Sequence, residues 1–202
     1  PELRAALADK LSQENGIATR PEQVLICNGG KQAIYNLFQV VLNPGDEVLL
    51  PSPYWLSYPE MAALAGASTV LIPSSASDGF RLDLDALEAR ITPKSRLLVI
   101  NSPGNPTGRV MQRQDIEALA ELVARHPNLL VMSDEIYEYL LADGEQHISF
   151  ASISETLKDR CFTVNGFAKG WAMTGWRLGY LAGNATVIKA ASALQSQSTS
   201  NV

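Results

Sequence analysis

Apolar residues recur at helical spacing through Leu3, Leu7 and Leu11 and stop at Asn15-Gly16, where glycine can take the left-handed conformation that ends a helix. The apolar run at residues 24–27 then predicts a strand, and Asn28-Gly29-Gly30 breaks it before a second helical pattern through Gln32, Ala33, Leu37 and Val40. The alternation continues with strands over 47–50, 68–72, 96–100, 129–132, 161–164 and 178–182. Between them the spacing predicts helices over 58–65, 84–91 and 115–124, and a last one from Val187; the second of these is entered through Asp83, a residue type that caps helices. Strands and helices in alternation, joined by short loops, predict an α/β fold: a mostly parallel central sheet with helices on both faces. No repeat or low-complexity linker divides the chain, so residues 1–202 read as one domain. In such sheets a ligand binds beyond the carboxyl ends of the strands.

Composition adds limits. Of 202 residues, 46% are hydrophobic and 18% charged, and mean hydropathy is zero, as in globular proteins able to bury a core. The net charge of −5 without any run of like charges argues against a nucleic-acid footprint. No apolar stretch nears the roughly 18 residues that span a bilayer, so no membrane partner is expected. Cys27 and Cys161 lie far apart among apolar residues and read as buried reduced thiols, which points to the cytoplasm. A helical pattern begins directly after Pro1, and another stops just before Ser198-Thr199-Ser200-Asn201-Val202, so the chain reads as a domain cut at both ends.

The residues that follow the predicted strands carry chemistry. They are Asn28-Gly29-Gly30-Lys31, Pro53-Tyr54-Trp55, Asn101 to Gly108, Ser133-Asp134-Glu135-Ile136-Tyr137, Asn165-Gly166-Phe167-Ala168-Lys169, and Met173 to Tyr180 with Arg177 inside it. This series resembles the class I aminotransferases among the fold-type-I pyridoxal-phosphate (PLP) enzymes, and looks most like the bacterial aspartate and aromatic subgroup. The resemblance covers essentially the whole chain. Its most specific pieces are Asn105-Pro106-Thr107-Gly108, Ser133 to Tyr137, and Lys169 with Arg177 eight residues later.

The resemblance implies PLP as cofactor, with an amino acid and a 2-oxo acid as substrates. It implies a Schiff base on Lys169, whose freed amine later moves a proton, and Asp134 against the pyridine nitrogen, keeping it protonated. Tyr137 and Asn105 are expected at the ring's 3-oxygen and Trp55 stacked on the ring face. Gly30, Lys31 and Arg177 are expected on the phosphate, the first two through the N–H groups that open a helix. Relatives of this kind are homodimers, with an N-terminal segment and a C-terminal domain that lie outside this chain. Gly166 departs from relatives that carry a phosphate-binding serine three residues before the lysine.

Each residue also has a plainer reading. Lys169 alone is a surface lysine, Arg177 alone a partner for a surface carboxylate, Trp55 alone core packing, and Asn-Gly-Gly an ordinary turn. His126 and His147 sit in polar loops without a second ligand at metal spacing and read as solvent-facing, so no metal site is expected. Two rivals stand beside transamination: a PLP-dependent lyase or decarboxylase of the same fold, and a non-catalytic regulatory domain of aminotransferase type.

Overall fold

In the computed structural model, which describes residues 1–199, seven strands form one sheet in the order β1-β7-β6-β5-β4-β2-β3. Residues 200–202 of the expected tail lie outside the described residues. The strands are β1 (Val24–Asn28), β2 (Glu47–Pro51), β3 (Ser68–Ile72), β4 (Ser95–Asn101), β5 (Leu130–Asp134), β6 (Cys161–Gly166) and β7 (Leu178–Ala182). The helices are α1 (Glu2–Gln13), α2 (Gly30–Val41), α3 (Ser57–Leu64), α4 (Leu84–Glu88), α5 (Arg113–Arg125) and α6 (Ala185–Ser196).

Side chains alternate across the sheet, and both faces are covered. Leu97 and Val99 of β4 join Cys27, Val164 and Leu181 under α2, α3 and α6, which contribute Leu37, Met61 and Ile188. Leu98 and Ile100 turn the other way, toward Leu87 of α4 and Leu119 and Val123 of α5. Leu7 and Leu11 of α1 cover Val24 and Tyr180 on that same side. Central strands therefore read as unbroken apolar runs, because neither face meets water. Each fully buried Leu, Ile or Phe contributes about 1.5–3 kcal/mol of transfer free energy. Cys27 and Cys161 are buried and unpaired, as expected, and burial pushes the Cys27 thiol up to about 12. Among the described residues no helix is long and apolar enough to cross a membrane.

One strand runs against the rest. β2 to β6 are parallel, whereas β7 is antiparallel to both its neighbours, β1 and β6. Its first residue, Leu178, pairs with Asn28, and Gly179 pairs with Gly166. The entrance of β7 thus lies at the carboxyl end of every other strand, which brings Arg177 to the ligand-binding edge although it precedes a strand rather than following one.

Candidate active site

β1 turns into α2 through Gly29, whose φ of +81° lies where side chains are strained. A Cβ there would also stand 2.6 Å from the Arg177 guanidinium. The N–H groups of Gly30, Lys31 and Gln32 open α2 and find no acceptor among the described residues. Arg177, with φ +52°, donates from Nη1 to the Thr174 carbonyl at 3.1 Å and has no carboxylate partner among the described residues, which removes its plainer reading. Helix terminus and guanidinium together make a site for an anion.

Across from it stands Asp134, the last residue of β5, 5% exposed. It accepts hydrogen bonds from the Tyr58 hydroxyl at 2.7 Å and from the Ile136 N–H at 3.2 Å. Burial raises its pKa to about 6, with the Tyr58 hydroxyl pulling the other way. Tyr58 is in turn pushed up, first by burial and then by the Asp134 charge. Asn105 Nδ2 lies 3.5 Å from the Tyr137 hydroxyl, and Asn101 braces both loops: it donates to the Asp134 carbonyl at 2.8 Å and accepts from the Asn105 N–H at 2.7 Å. Lys169 Nζ stands 5.8 Å from the centre of the Tyr137 ring. The Trp55 ring meets Tyr58 edge-on at 5.3 Å and carries Lys31 Nζ 5.1 Å from its centre.

Gly30, Lys31, Trp55, Asn105, Asp134, Tyr137, Lys169 and Arg177, every residue singled out from the sequence, line one cavity of about 230 Å³. Tyr58, Asn101 and Thr174 line it too; Asn101 and Thr174 belong to the strand-end segments named from the sequence but had no role assigned, and Tyr58 was read only as a helix position. Tyr58 occupies an apolar position of a helical pattern, three residues after Trp55, and its ring is in the core while its hydroxyl serves the site. Gly166 has its own reason: a Cβ would lie 2.9 Å from the Leu178 carbonyl and 3.0 Å from Gly179 Cα, so β6 and β7 leave no room there for serine.

The histidines differ from expectation. His147 does not face solvent; its side chain is 9% exposed, and Nε2 lies 3.1 Å from the fully buried Glu135 carboxylate. Burial alone would raise Glu135, but His147, Ser149 and Ser133 hold it below the ordinary carboxylate range. A polar loop folds inward here because a buried carboxylate needs donors. His126 is half-buried beside Glu88 at 3.7 Å. Ligand atoms of Glu135, Glu138 and His147 come within 4.8 Å of one another. Their carboxylate oxygens already accept from protein donors, and Lys10 supplies the positive charge, so the chemistry of the cluster is that of an ion-pair network.

Comparison with known proteins matches this arrangement of residues to one family. The profile of "Aminotransferase class I and II" matches residues 1–201. A bifunctional aspartate aminotransferase and glutamate/aspartate-prephenate aminotransferase of Petunia hybrida is 54% identical over 98% of the chain, which covers 41% of that protein. The aspartate/prephenate aminotransferase of Thermus thermophilus is 49% identical, with 100% of this chain and 51% of that one covered. Among solved structures, Thermus thermophilus aspartate aminotransferase with maleate superposes at a TM-score of 0.95 and 48% identity, covering 100% of this chain and 51% of the other. The Rhizobium meliloti aspartate aminotransferase gives 0.97 at 42% identity, covering 100% and 50%. The chain spans about half the length of the curated relatives it matches. With a profile that covers nearly every residue, and with relatives and solved structures that share both sequence and fold, this chain belongs to the class I and II aminotransferases.

Proposed function

We propose that the chain is the cofactor-binding domain of a PLP-dependent aminotransferase that moves an amino group between an amino acid, of aspartate or aromatic type, and a 2-oxo acid. One observation carries this reading: eight residues from six separate segments converge on one cavity with the donor set that PLP requires. The unsatisfied N–H groups at the start of α2, with Arg177, suit a phosphate. A buried carboxylate at Asp134 suits a protonated ring nitrogen, and the Trp55 ring suits a flat aromatic face.

When bound, PLP supplies an electron sink for the pair released as the substrate Cα loses its proton. The chain's own residues do the rest. Lys169 would hold the cofactor through Nζ and, when its amine is free, would carry the proton to and from Cα. Asp134 would keep the ring nitrogen protonated, and Tyr58 favours the ionised form of Asp134 by donating to Oδ2. Tyr137 and Asn105, side by side in the cavity, would supply donors for the negative charge of the cofactor's 3-oxygen. The same reading extends to a cytoplasmic homodimer whose remaining chain completes the cleft. The Petunia and Thermus relatives, named for aspartate and prephenate, favour a dicarboxylic amino donor.

Borohydride reduction of the PLP-loaded protein, followed by peptide mass mapping, tests the assignment. The expected label is on Lys169, with visible absorbance lost in Lys169→Ala. A label on another lysine, or on none, rejects it.

A further inference from the structure

The turn after β5 has two sides. Asp134 and Tyr137 face the cavity, whereas Glu135 and Glu138, 0% and 7% exposed, point away from it into the protein. Two buried carboxylates on one turn need compensating partners, since an unpaired buried charge costs several kcal/mol.

Glu138 is held from three directions. Lys10 of α1 forms an ion pair with its Oε1 and donates to Asn15 Oδ1 at 2.8 Å. Asn15 Nδ2 donates to Glu138 Oε2 at 2.9 Å. Asn165 of β6, 2% exposed, donates from Nδ2 to Glu138 Oε1 at 2.8 Å, while its own Oδ1 accepts the Gly166 N–H at 2.7 Å. Gly166 opens the segment that carries Lys169. One carboxylate therefore ties together the turn that bears Tyr137 and the strand end that leads to Lys169.

Taken as fold support, this network fastens α1 to the sheet, and its loss costs stability alone. Its geometry carries more. The Glu138 side chain leaves the turn one residue after Tyr137, and an N–H···O bond joins Glu138 N to the Glu135 carbonyl at 2.9 Å, so a shift of Glu138 shifts Tyr137 with it. Tyr137 already stands at a long 3.5 Å from Asn105, a spacing at which small displacements decide whether a hydrogen bond is made.

We infer that Lys10 and Asn165 are positioning residues that act through Glu138 to hold the Tyr137 hydroxyl in register with Asn105 and Lys169. The inference rests on the reading of this cavity as a PLP site. A displaced Tyr137 no longer stabilises the cofactor's oxyanion, so the pH at which the lysine-bound chromophore titrates must rise.

The test uses the holoenzyme. In Lys10→Met the visible titration midpoint is expected to move up by about 0.5 pH unit or more. The same variant should lose about fivefold or more in kcat while KM changes less than about twofold, because ground-state binding of substrate is untouched. Lys10→Arg, which keeps the charge, should restore both. Asn165→Ala leaves the Lys10–Glu138 pair in place and should move the midpoint the same way; it decides the matter if Lys10→Met does not fold. A lower Tm with midpoint and kcat unchanged in these variants overturns the inference and leaves a network that only supports the fold. A wild-type holoenzyme with no chromophore on Lys169 overturns the cofactor reading first, and this inference with it.

Discussion

A carboxyl group that folding has stripped of water is an unfavourable object at neutral pH, and Asp134 is one. Burial lifts its pKa from 3.8 to about 6, and the Tyr58 and Ile136 donors recover only part of the lost hydration. Because the folded value lies above the unfolded one, the folded state binds this proton more tightly. Stability from this residue is thus fully present below about pH 4 and is lost as pH rises through about 6. Above that, an ionised Asp134 costs the cofactor-free fold on the order of 2–3 kcal/mol. In the apo protein, Asp134→Asn should therefore raise the unfolding free energy by about 2–3 kcal/mol at pH 8, with the gain shrinking toward pH 4. Urea denaturation at several pH values measures it. Equal stabilisation at both ends of the range would show that packing, not charge, accounts for the effect. Under the proposed function the cost has a use, because a buried carboxylate is what a cationic ring nitrogen would need opposite it.

At the scale of elements, the ligand edge depends on how closely backbones approach. A Cβ on Gly179 would stand 2.5 Å from both the Gly29 carbonyl carbon and the Gly30 nitrogen, so β7 can enter the sheet beside the β1–α2 turn only as glycine. Gly179→Ala should displace that turn, lower stability by about 1–3 kcal/mol and weaken PLP binding about tenfold or more. Gly175→Ala, with no atom within 4 Å of the added carbon, is the matched control. Thermal unfolding and cofactor titration compare the two, and equal affinities would mean that the α2 N–H groups do not hold the phosphate. Such approaches are only partly legible in sequence. Period and punctuation gave β3 and β7 with the bounds observed, because β-branched and apolar runs there end at turn residues. The helix expected over 84–91 closes earlier, at Glu88, where the chain turns off through Ala89. Direction left no mark: nothing in Leu178 to Ala182 says that β7 runs backwards, since an antiparallel strand buried on both faces has the composition of a parallel one. The residues lining the cavity were legible because their segments follow strands, or in the case of Arg177 lead into one, and because their motifs resemble those of a known family. Tyr58 and His147 were not, since one reads as an apolar helix position and the other as loop, and only the fold brings each to a buried carboxylate.

At the scale of the molecule, the core is closed but the surface around the cleft is not. Three apolar clusters bury residues from every strand and helix, so the sheet has what it needs to form. Near the cleft, by contrast, Trp171 is 57% exposed, Trp176 69%, Leu140 52% and Tyr139 44%, with Tyr139 and Trp171 packed edge-on at 5.4 Å. Lys169 lies two residues before the first of these and Arg177 one residue after the second. Aromatic surface of this kind is normally covered, and the matched relatives are about twice as long. Residues 1–202 expressed by themselves are therefore expected to give a folded α/β circular-dichroism spectrum with cooperative unfolding, yet to self-associate. Turnover with aspartate and 2-oxoglutarate should fall more than about tenfold below that of a longer chain carrying the same residues. Water left in an open cleft weakens each charged contact that the proposed chemistry uses, and Asp134, Lys169 and Arg177 all act through such contacts. Light scattering and a coupled assay on the two proteins decide the point. A monomeric fragment turning over within about tenfold of the longer protein would mean that the groups lining this cavity bind substrate as well as cofactor, without help from the rest of the chain.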